Sequence, residues 1–420
     1  MPEAVNLSRQ MKEKLPKEML DFLCLARNIA MGKGESLYLV GGIVRDLMLS
    51  MTSYDIDLVL QGDAPALAEE LAVKLGAKLT IHPQFGTATL NWHEWTIDLT
   101  TSREETYARP GALPTVKPGI LRSDLFRRDF TVNAMAVSLS ENSWGVLIDP
   151  YGGRRDLNQR LIRILHEKSF MDDATRIWRA VRYATRLDFT IEEETLKLLR
   201  RDTGFLDTIS GDRIHYEIEC VLKEALPEKA LGYAYELGIL QKVHPSLKAG
   251  KWLTDKFRKA KESTSPGKPP MGLYLALMTY RLKSDELEQF ISFLRFEKGV
   301  TRTLREVNEL KGTLSSLARP NLMPSRIYKL LHGYSAEAMR AALIASASAR
   351  ANERMKLYLD SLRFIKLSLT GDDLKKMGVQ EGPRMKEILA RLLEARLDGK
   401  VKDREEEERL VREIIQNPKG

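Results

Sequence analysis

The sequence predicts an α+β architecture: a head of mixed sheet and helices, followed by a chain that is helical almost throughout. Three features carry that expectation. Apolar residues at helical spacing (Leu20, Leu23, Ile29) mark a helix over 15–31 ahead of the first long apolar run. Three short runs with β character, 78–81, 86–91 and 95–99, follow a helical stretch over 64–75. From Pro227 onward the periodicity is that of helices, with breaks at 263–267, at Arg319-Pro320 and at Gly371. At 420 residues the chain exceeds what one hydrophobic core serves, so several domains are expected, with bounds drawn at 1–150, 151–225, 226–318 and 319–420.

Composition narrows the class without naming it. With 66 Lys and Arg against 58 Asp and Glu, the net charge of +8 suits a polyanionic partner. The two cysteines, Cys24 and Cys220, lie far apart with no partner spacing, which excludes a zinc cluster and a disulfide framework. The first residues lack an apolar signal core and carry acids that disfavour a mitochondrial presequence, and no apolar stretch is long enough to span a bilayer. A cytoplasmic protein is expected, with no membrane attachment, and nothing calls for a stable protein partner.

The informative stretch is 37–60. An apolar run ends in Gly41-Gly42, a short segment carries Arg45 and Asp46, and a second apolar run presents Asp55 and Asp57. Side chains alternate along a strand, so Asp55 and Asp57 share one face while Ile56 and Leu58 take the other. Two adjacent carboxylates repel unless a cation lies between them, and hard oxygen donors are what Mg²⁺ accepts. The glycines allow close backbone approach, and a helix beginning at Ile43 or Val44 would aim N–H groups and Arg45 at an anion. Metal on one side and phosphate on the other point to a nucleoside triphosphate. Taken singly, Gly-Gly is more often a turn and Asp-x-Asp a solvated strand end.

Together, a double glycine followed after a short helix by Asp-hydrophobic-Asp resembles the signature of the polymerase-beta-like nucleotidyltransferase superfamily. GGIVRD narrows the resemblance to its class II tRNA nucleotidyltransferase and bacterial poly(A) polymerase branch. Two-metal nucleotidyl transfer needs ligands for both ions, so a third carboxylate is expected on a neighbouring strand. Asp98 in Ile97-Asp98-Leu99 is the nominee, because the resemblance places an acid there shortly before an arginine, here Arg103. The stretch 100–124, rich in Pro, Gly and Thr, reads as a functional loop. Its REETY and ALPTV segments look closer to bacterial relatives that add only the cytidines or only the final adenosine.

Residues 124–137, DLFRRDFTVNAMAV, match the family's Arg-Arg-Asp-x-x-x-Asn-Ala motif. Arg127 and Arg128 suit phosphate because a guanidinium binds bidentately, and Asp129 or Asn133 could hydrogen-bond ribose hydroxyls. The segment IDPYGGRRDL, 148–157, resembles the third motif, and its glycines read as hinge and packing positions.

On a helical wheel drawn over 172–189, Asp172, Arg176, Arg179, Tyr183 and Arg186 share one side, with Asp173 and Arg182 at its edges and Ile177, Val181 and Ala184 opposite. Composition alone would make this a solvated charged face. The resemblance implies a neck helix carrying Glu-Asp-x-x-Arg that contacts the incoming base, with Arg179 and Arg182 as further nucleotide contacts. Cytosine and adenine both offer an amino donor beside a ring-nitrogen acceptor, so Asp173 as acceptor and Arg176 as donor fit C and A and oppose G and U. Asp172 departs from the pattern, standing where the family usually has Glu. Arg213 and Glu217 sit at i,i+4 spacing in the likeness of the fifth motif and read as structural.

The second half is less specific. Basic residues over 248–268, beside Trp252 and Phe257, suit either an RNA-facing patch or a solvated linker. Residues 371–389 read as helix, glycine turn (Gly378, Gly382, Pro383) and helix with Lys386, a turn able to meet tRNA phosphate. The closing run spaces Leu410, Val411, Ile414 and Ile415 as the apolar face of a terminal helix. The resemblance implies an enzyme that extends tRNA 3′ ends with C, A or both. CTP and ATP would be its substrates, and two Mg²⁺ ions would sit on Asp55, Asp57 and Asp98. Poly(A) polymerase, or an RNA-binding protein with a degenerate head, are the alternatives.

Overall fold

The computed structural model describes residues 5–51, 55–112 and 114–416. The N-terminal helical signal resolves into α1 (Ser8–Lys14) and α2 (Lys17–Gly32), interrupted at Pro16, whose ring cannot continue a helix. Strand β1 (Ser36–Val40) leads directly into α3 (Gly42–Met48), then β2 (Asp55–Gln61) and α4 (Ala64–Leu75). Asp63 caps α4 by accepting from the Ala66 amide, and Gly76 ends it in the left-handed conformation. Three strands follow: β3 (Lys78–His82), β4 (Thr87–Trp92) and β5 (Trp95–Thr101).

The stretch expected as a loop over 100–124 is instead a small antiparallel hairpin of β6 (Arg103–Thr106) and β7 (Thr115–Pro118), followed by α5 (Leu121–Phe126). Its strands are four residues each and its connection carries Pro and Gly, so no periodicity long enough to read was present. Strands β8 (Ala136–Ser138) and β9 (Leu147–Ile148) complete a mixed seven-stranded sheet in the order β3-β4-β5-β2-β1-β8-β9. The pair β2 and β5 is parallel; the other neighbours are antiparallel.

Alternation sorts the sheet into two faces. Ile56, Leu58, Leu60, Leu39, Ile97 and Leu99 join one core with Phe22 and Leu23 of α2 and Leu67 and Leu71 of α4. Val59 and Val40 face a second, smaller cluster with Leu121 and Leu125 of α5, Ala134 and Ala136. Asp55 and Asp57 lie on this second side, as the two-residue period requires.

Helices α6 (Gly153–Asn158), α7 (Ser169–Asp172), α8 (Thr175–Leu187), α9 (Glu193–Asp202), α10 (Gly211–Lys223), α11 (Pro227–Glu236) and α12 (Ile239–Val243) finish the first of two compact units, residues 1–243. The second unit, 244–420, is helical among its described residues. Its Met271–Thr279 helix is buried along its whole length. The basic stretch at 248–268 forms the helix Lys251–Thr264, so the linker reading falls away. Gly371 begins a helix capped by Thr370 instead of breaking one, and the Gly378 and Gly382 turn then leads into the helix Pro383–Leu397. Val411 of the terminal helix is buried with Leu410, Ile414 and Ile415 packed around it. Glu407 of the same helix is buried too, accepting from the Ser368 and Leu369 amides. No helix among the described residues is long and apolar enough to cross a membrane.

The glycines at 152 and 153 do different work. Gly152 has φ +77, and a Cβ on Gly153 would lie 2.2 Å from the Thr131 carbonyl oxygen. Gly153→Ala is expected to cost about 1–3 kcal/mol, because backbone cannot yield to it. Gly204→Ala, with open space at its Cβ, is the control, expected within about 0.5 kcal/mol of wild type. Urea midpoints compare the two, and an unchanged Gly153→Ala midpoint would refute the packing role.

Candidate active site

Strands β2 and β5 run parallel with Asp57 opposite Asp98. Neighbours in register project to the same face, so Asp55, Asp57 and Asp98 share it. Burial pushes the Asp57 carboxyl above its usual value; Arg128 opposes this and the Asp98 and Asp55 carboxylates reinforce it. Three carboxylates outnumber the Arg128 guanidinium beside them, and their donors are the hard oxygens a divalent cation takes. Asp98 is turned to Thr89 of β4, accepting from its hydroxyl at 2.6 Å. Among the described residues no three acidic, His or Cys side chains are gathered tightly enough to enclose a metal ion.

Above them opens a cavity of about 640 Å³, within the size range of small-molecule sites. Gly41 has φ +76, and a Cβ there would sit 2.8 Å from Arg128 Nη1 and 3.0 Å from Asp57 Oδ2. The first glycine is therefore required by its positive-φ conformation, and a Cβ there would displace the Arg128 guanidinium. Helix α3 starts at Gly42, one residue before the earliest expected start.

Arg45 and Asp46 line the cavity yet are almost wholly buried, 2% and 3% exposed. Arg45 donates to Asp46 at 2.7 and 2.8 Å and to Asn133 Oδ1 at 2.7 Å, so its fork is already engaged. Asn133 donates to Asp129 at 3.0 Å. Asp129 also accepts from the Phe130 amide at 2.8 Å and from Arg179 Nε at 2.8 Å and Nη2 at 2.5 Å. All its acceptor positions are taken within the protein. A continuous polar chain, Asp46 to Arg45 to Asn133 to Asp129 to Arg179, thus joins α3 to α8.

A second network holds the hairpin. Arg127 donates to buried Asp124 at 2.7 and 3.0 Å and to Glu105 at 3.0 Å. Arg103 reaches Glu105 at 2.9 and 3.0 Å and the Phe85 carbonyl at 2.8 Å, and the Tyr107 hydroxyl donates to Glu105 at 2.7 Å. Burial would raise Asp124, but Arg128 and Arg127 hold it below the usual carboxylate range. Glu105 and Tyr107 were not singled out individually in the sequence; their only signal was position within the REETY segment.

The neck differs most from expectation. Asp172 and Asp173 do not continue the helix of the arginines: α7 ends at Asp172, Asp173 is extended, and α8 starts at Thr175. The cause is local, since Asp173 Oδ1 accepts from the Thr175 amide at 3.0 Å and its hydroxyl at 2.7 Å, competing with helical bonding. Arg213 donates to the same oxygen at 2.6 Å, so it pairs with Asp173 and not with Glu217. Asp173, Arg176, Arg179, Tyr183, Arg186 and Arg213 all line the cavity. Arg176 is buried and donates to the Ser169 and Arg127 carbonyls. Arg182 is absent from the lining; it lies 3.9 Å from Glu217 and 3.6 Å from Glu224, over the Tyr183 ring. Gly41, Gly42, Arg45, Asp46, Asp55, Asp57, Asp98, Arg127, Arg128, Asp129 and Asn133 complete the residues the fold brings to one cavity.

Comparison with known proteins agrees with this architecture. Residues 37–163 match the poly A polymerase head domain, and residues 188–251 match the probable RNA and SrmB-binding site of polymerase A. The chain is 34% identical over 400 residues to an A-adding tRNA nucleotidyltransferase of Geobacter sulfurreducens, covering 89% of this chain and 44% of that protein. It therefore spans less than half the length of that relative. A second A-adding tRNA nucleotidyltransferase, from Halalkalibacterium halodurans, is 30% identical over 415 residues, covering 98% of this chain and 96% of the relative. The Thermotoga maritima CCA-adding enzyme, solved in complex with tRNA, superposes with a TM-score of 0.78 at 28% identity over 100% of both chains.

Asp129 offers a direct test of the buried chain. Burial would raise its carboxyl, but Arg179 and Asn133 outweigh that and bring it down from 3.8 to about 2. A depressed folded value means stability that is complete above the unfolded value and lost as pH falls towards 2, amounting to about 2 kcal/mol. Asp129→Asn is expected to lose at least about that much at pH 7 and to show a flatter acid limb between pH 4 and 2. Identical acid limbs in urea titrations of both proteins would remove Asp129 from this role.

Proposed function

This chain belongs to the class II tRNA nucleotidyltransferase and bacterial poly(A) polymerase family, and from that premise we propose that it extends the tRNA 3′ end without a template, adding the terminal A from ATP. The single observation that supports the reading is the cavity with three carboxylates on one sheet face and an Asp173 and Arg176 pair among its other lining residues. The A-adding names of the two relatives support the narrower choice of nucleotide; addition of CC or of the whole CCA from CTP and ATP are its variants. In this reading 1–150 is the catalytic head, 151–225 the base-reading neck, and 226–318 and 319–420 the parts that carry RNA. We place it in the cytoplasm.

Nucleotidyltransferases of this family generally use a divalent metal. Two Mg²⁺ ions, held by Asp55, Asp57 and Asp98, would supply the positive charge that activates the terminal ribose hydroxyl and steadies the leaving pyrophosphate. The residues of this chain do the rest. Gly41 and Gly42 let the triphosphate approach the backbone. Arg128, with Nε buried and unbonded, and Arg186, with no ion pair among the described residues, supply its charge neutralisation. Arg45, Asp129 and Asn133 serve by holding Arg179 and Tyr183 on the wall. Asp173 accepts from the amino group of the base and Arg176 donates to its ring nitrogen, so Arg213, bonded to Asp173, fixes the direction of readout.

The test uses three tRNA transcripts, ending before the first C, after the second C, and complete, each with CTP, ATP or both. Extension of only the CC-ended transcript with ATP is expected. Full CCA from the shortest transcript would mark a complete CCA-adding enzyme, and long A tails on any RNA a poly(A) polymerase. Asp57→Asn is expected to lower incorporation by about a hundredfold or more; unchanged incorporation would leave the RNA-binding alternative. Arg176→Ala should narrow the preference for ATP over GTP by about tenfold or more, and an unaltered ratio would exclude it from base readout.

A further inference from the structure

A second cavity, about 560 Å³, shares Glu105, Tyr107, Arg127 and Arg176 with the first and lies in the same unit. Its character is different. Phe126, 43% exposed at the end of α5, lies 4.9 Å from the His166 ring and 5.4 Å from the Tyr151 ring. Core phenylalanines of this chain such as Phe22 and Phe130 are at most 1% exposed. An aromatic ring left open inside a cavity is a stacking surface. Two further lining residues, Arg122 and Lys168, have no ion pair or side-chain hydrogen bond among the described residues. The acids beside them are already engaged: Glu105 by Arg103, Arg127 and Tyr107, and Glu104 by the Ser123 hydroxyl. The remaining acid, Asp172, lies 3.8 Å from His166 and lines this second cavity, not the first.

Open aromatic surface, two uncommitted cations and the His166 imidazole form a combination that suits one nucleotide unit: a base to stack and a phosphate to neutralise. Resting on the RNA substrate proposed above, we propose that this cavity binds a nucleotide of the unpaired 3′ end of the RNA, its base stacked on Phe126 and its phosphate met by Arg122 and Lys168. The shared wall then couples occupancy of the cavity to Arg176, whose side chain is held by the Arg127 carbonyl. Burial and the nearby Arg176 keep the His166 imidazole below its ordinary value, leaving it neutral to share hydrogen bonds with a base edge.

The probes are a fluorescent ACC trinucleotide and free CMP, with Phe126→Leu, Phe126→Tyr and the double variant Arg122→Glu/Lys168→Glu in the full chain. Phe126→Leu keeps apolar bulk and so preserves folding, while Phe126→Tyr restores the ring. Phe126→Leu and the double variant are expected to weaken trinucleotide binding about tenfold or more, with Phe126→Tyr near wild type. KM for tRNA should rise in parallel while KM for ATP stays within about twofold. Trinucleotide affinity unchanged in both variants would overturn the proposal, as would a loss confined to CMP, which would make this a site for free nucleotide. Trinucleotide binding is read without turnover, so an inactive wild-type protein would refute the proposed activity and still leave this site with its own answer.

Discussion

The cavity depends on one buried polar chain. Asp46, Arg45, Asn133, Asp129 and Arg179 are linked in sequence by bonds of 2.5–3.0 Å, and Arg45, Asp46, Asn133 and Asp129 are at most 6% exposed. A buried charge without its partner is far more costly than a hydrogen bond is favourable, so each member can occupy one position only. The chain begins on α3, immediately after the glycines, and ends on α8, which carries the arginines of the neck. It thereby fixes the spacing between the carboxylate strands and the α8 wall of the cavity. Apolar packing could bring these elements together, but it would tolerate sliding that a buried network of charged hydrogen bonds does not.

The opposite face of the problem is the carboxylate edge, where Arg128 offsets only part of the charge. The parallel pairing of β2 and β5 sets Asp57 beside Asp98, and burial, reinforced by Asp98 and Asp55 and opposed by Arg128, raises the Asp57 carboxyl above its usual range. The protein therefore holds two electrostatic regimes a short distance apart. One is saturated and rigid; the other is strained and open to a hard cation.

What could be read in advance follows from the range of each signal. Asp55 and Asp57 were legible because strand alternation is a two-residue rule, and the Ala64–Leu75 helix because its apolar period runs over three turns with a cap at Asp63. Asp98 needed the family resemblance, since nothing local says which strand lies beside β2. The neck misled because a helical wheel assumes continuous helix, whereas Asp173 uses its own carboxylate to end one segment and start the next. Arg213 misled for a related reason: the i,i+4 rule sees Glu217 one turn away and is blind to Asp173, forty residues distant in sequence and 2.6 Å distant in space. The β6 and β7 hairpin, four residues per strand, is shorter than any periodicity can register.

The arginines of the cavity complete the logic. Eight line it, but Arg45, Arg103, Arg127, Arg179 and Arg213 are paired with carboxylates and Arg176 with backbone carbonyls, leaving Arg128 only partly engaged and Arg186 without an ion pair among the described residues. The cavity therefore holds few uncommitted cations, although the composition is basic. Most of the guanidinium charge serves to hold shape, so the donors and acceptors of the cavity wall are already fixed in place. Preorganisation of this kind lowers the reorganisation cost of binding any polar ligand. It also concentrates the demand for positive charge at the carboxylate edge, where a metal ion, and not another side chain, has the charge density to meet it.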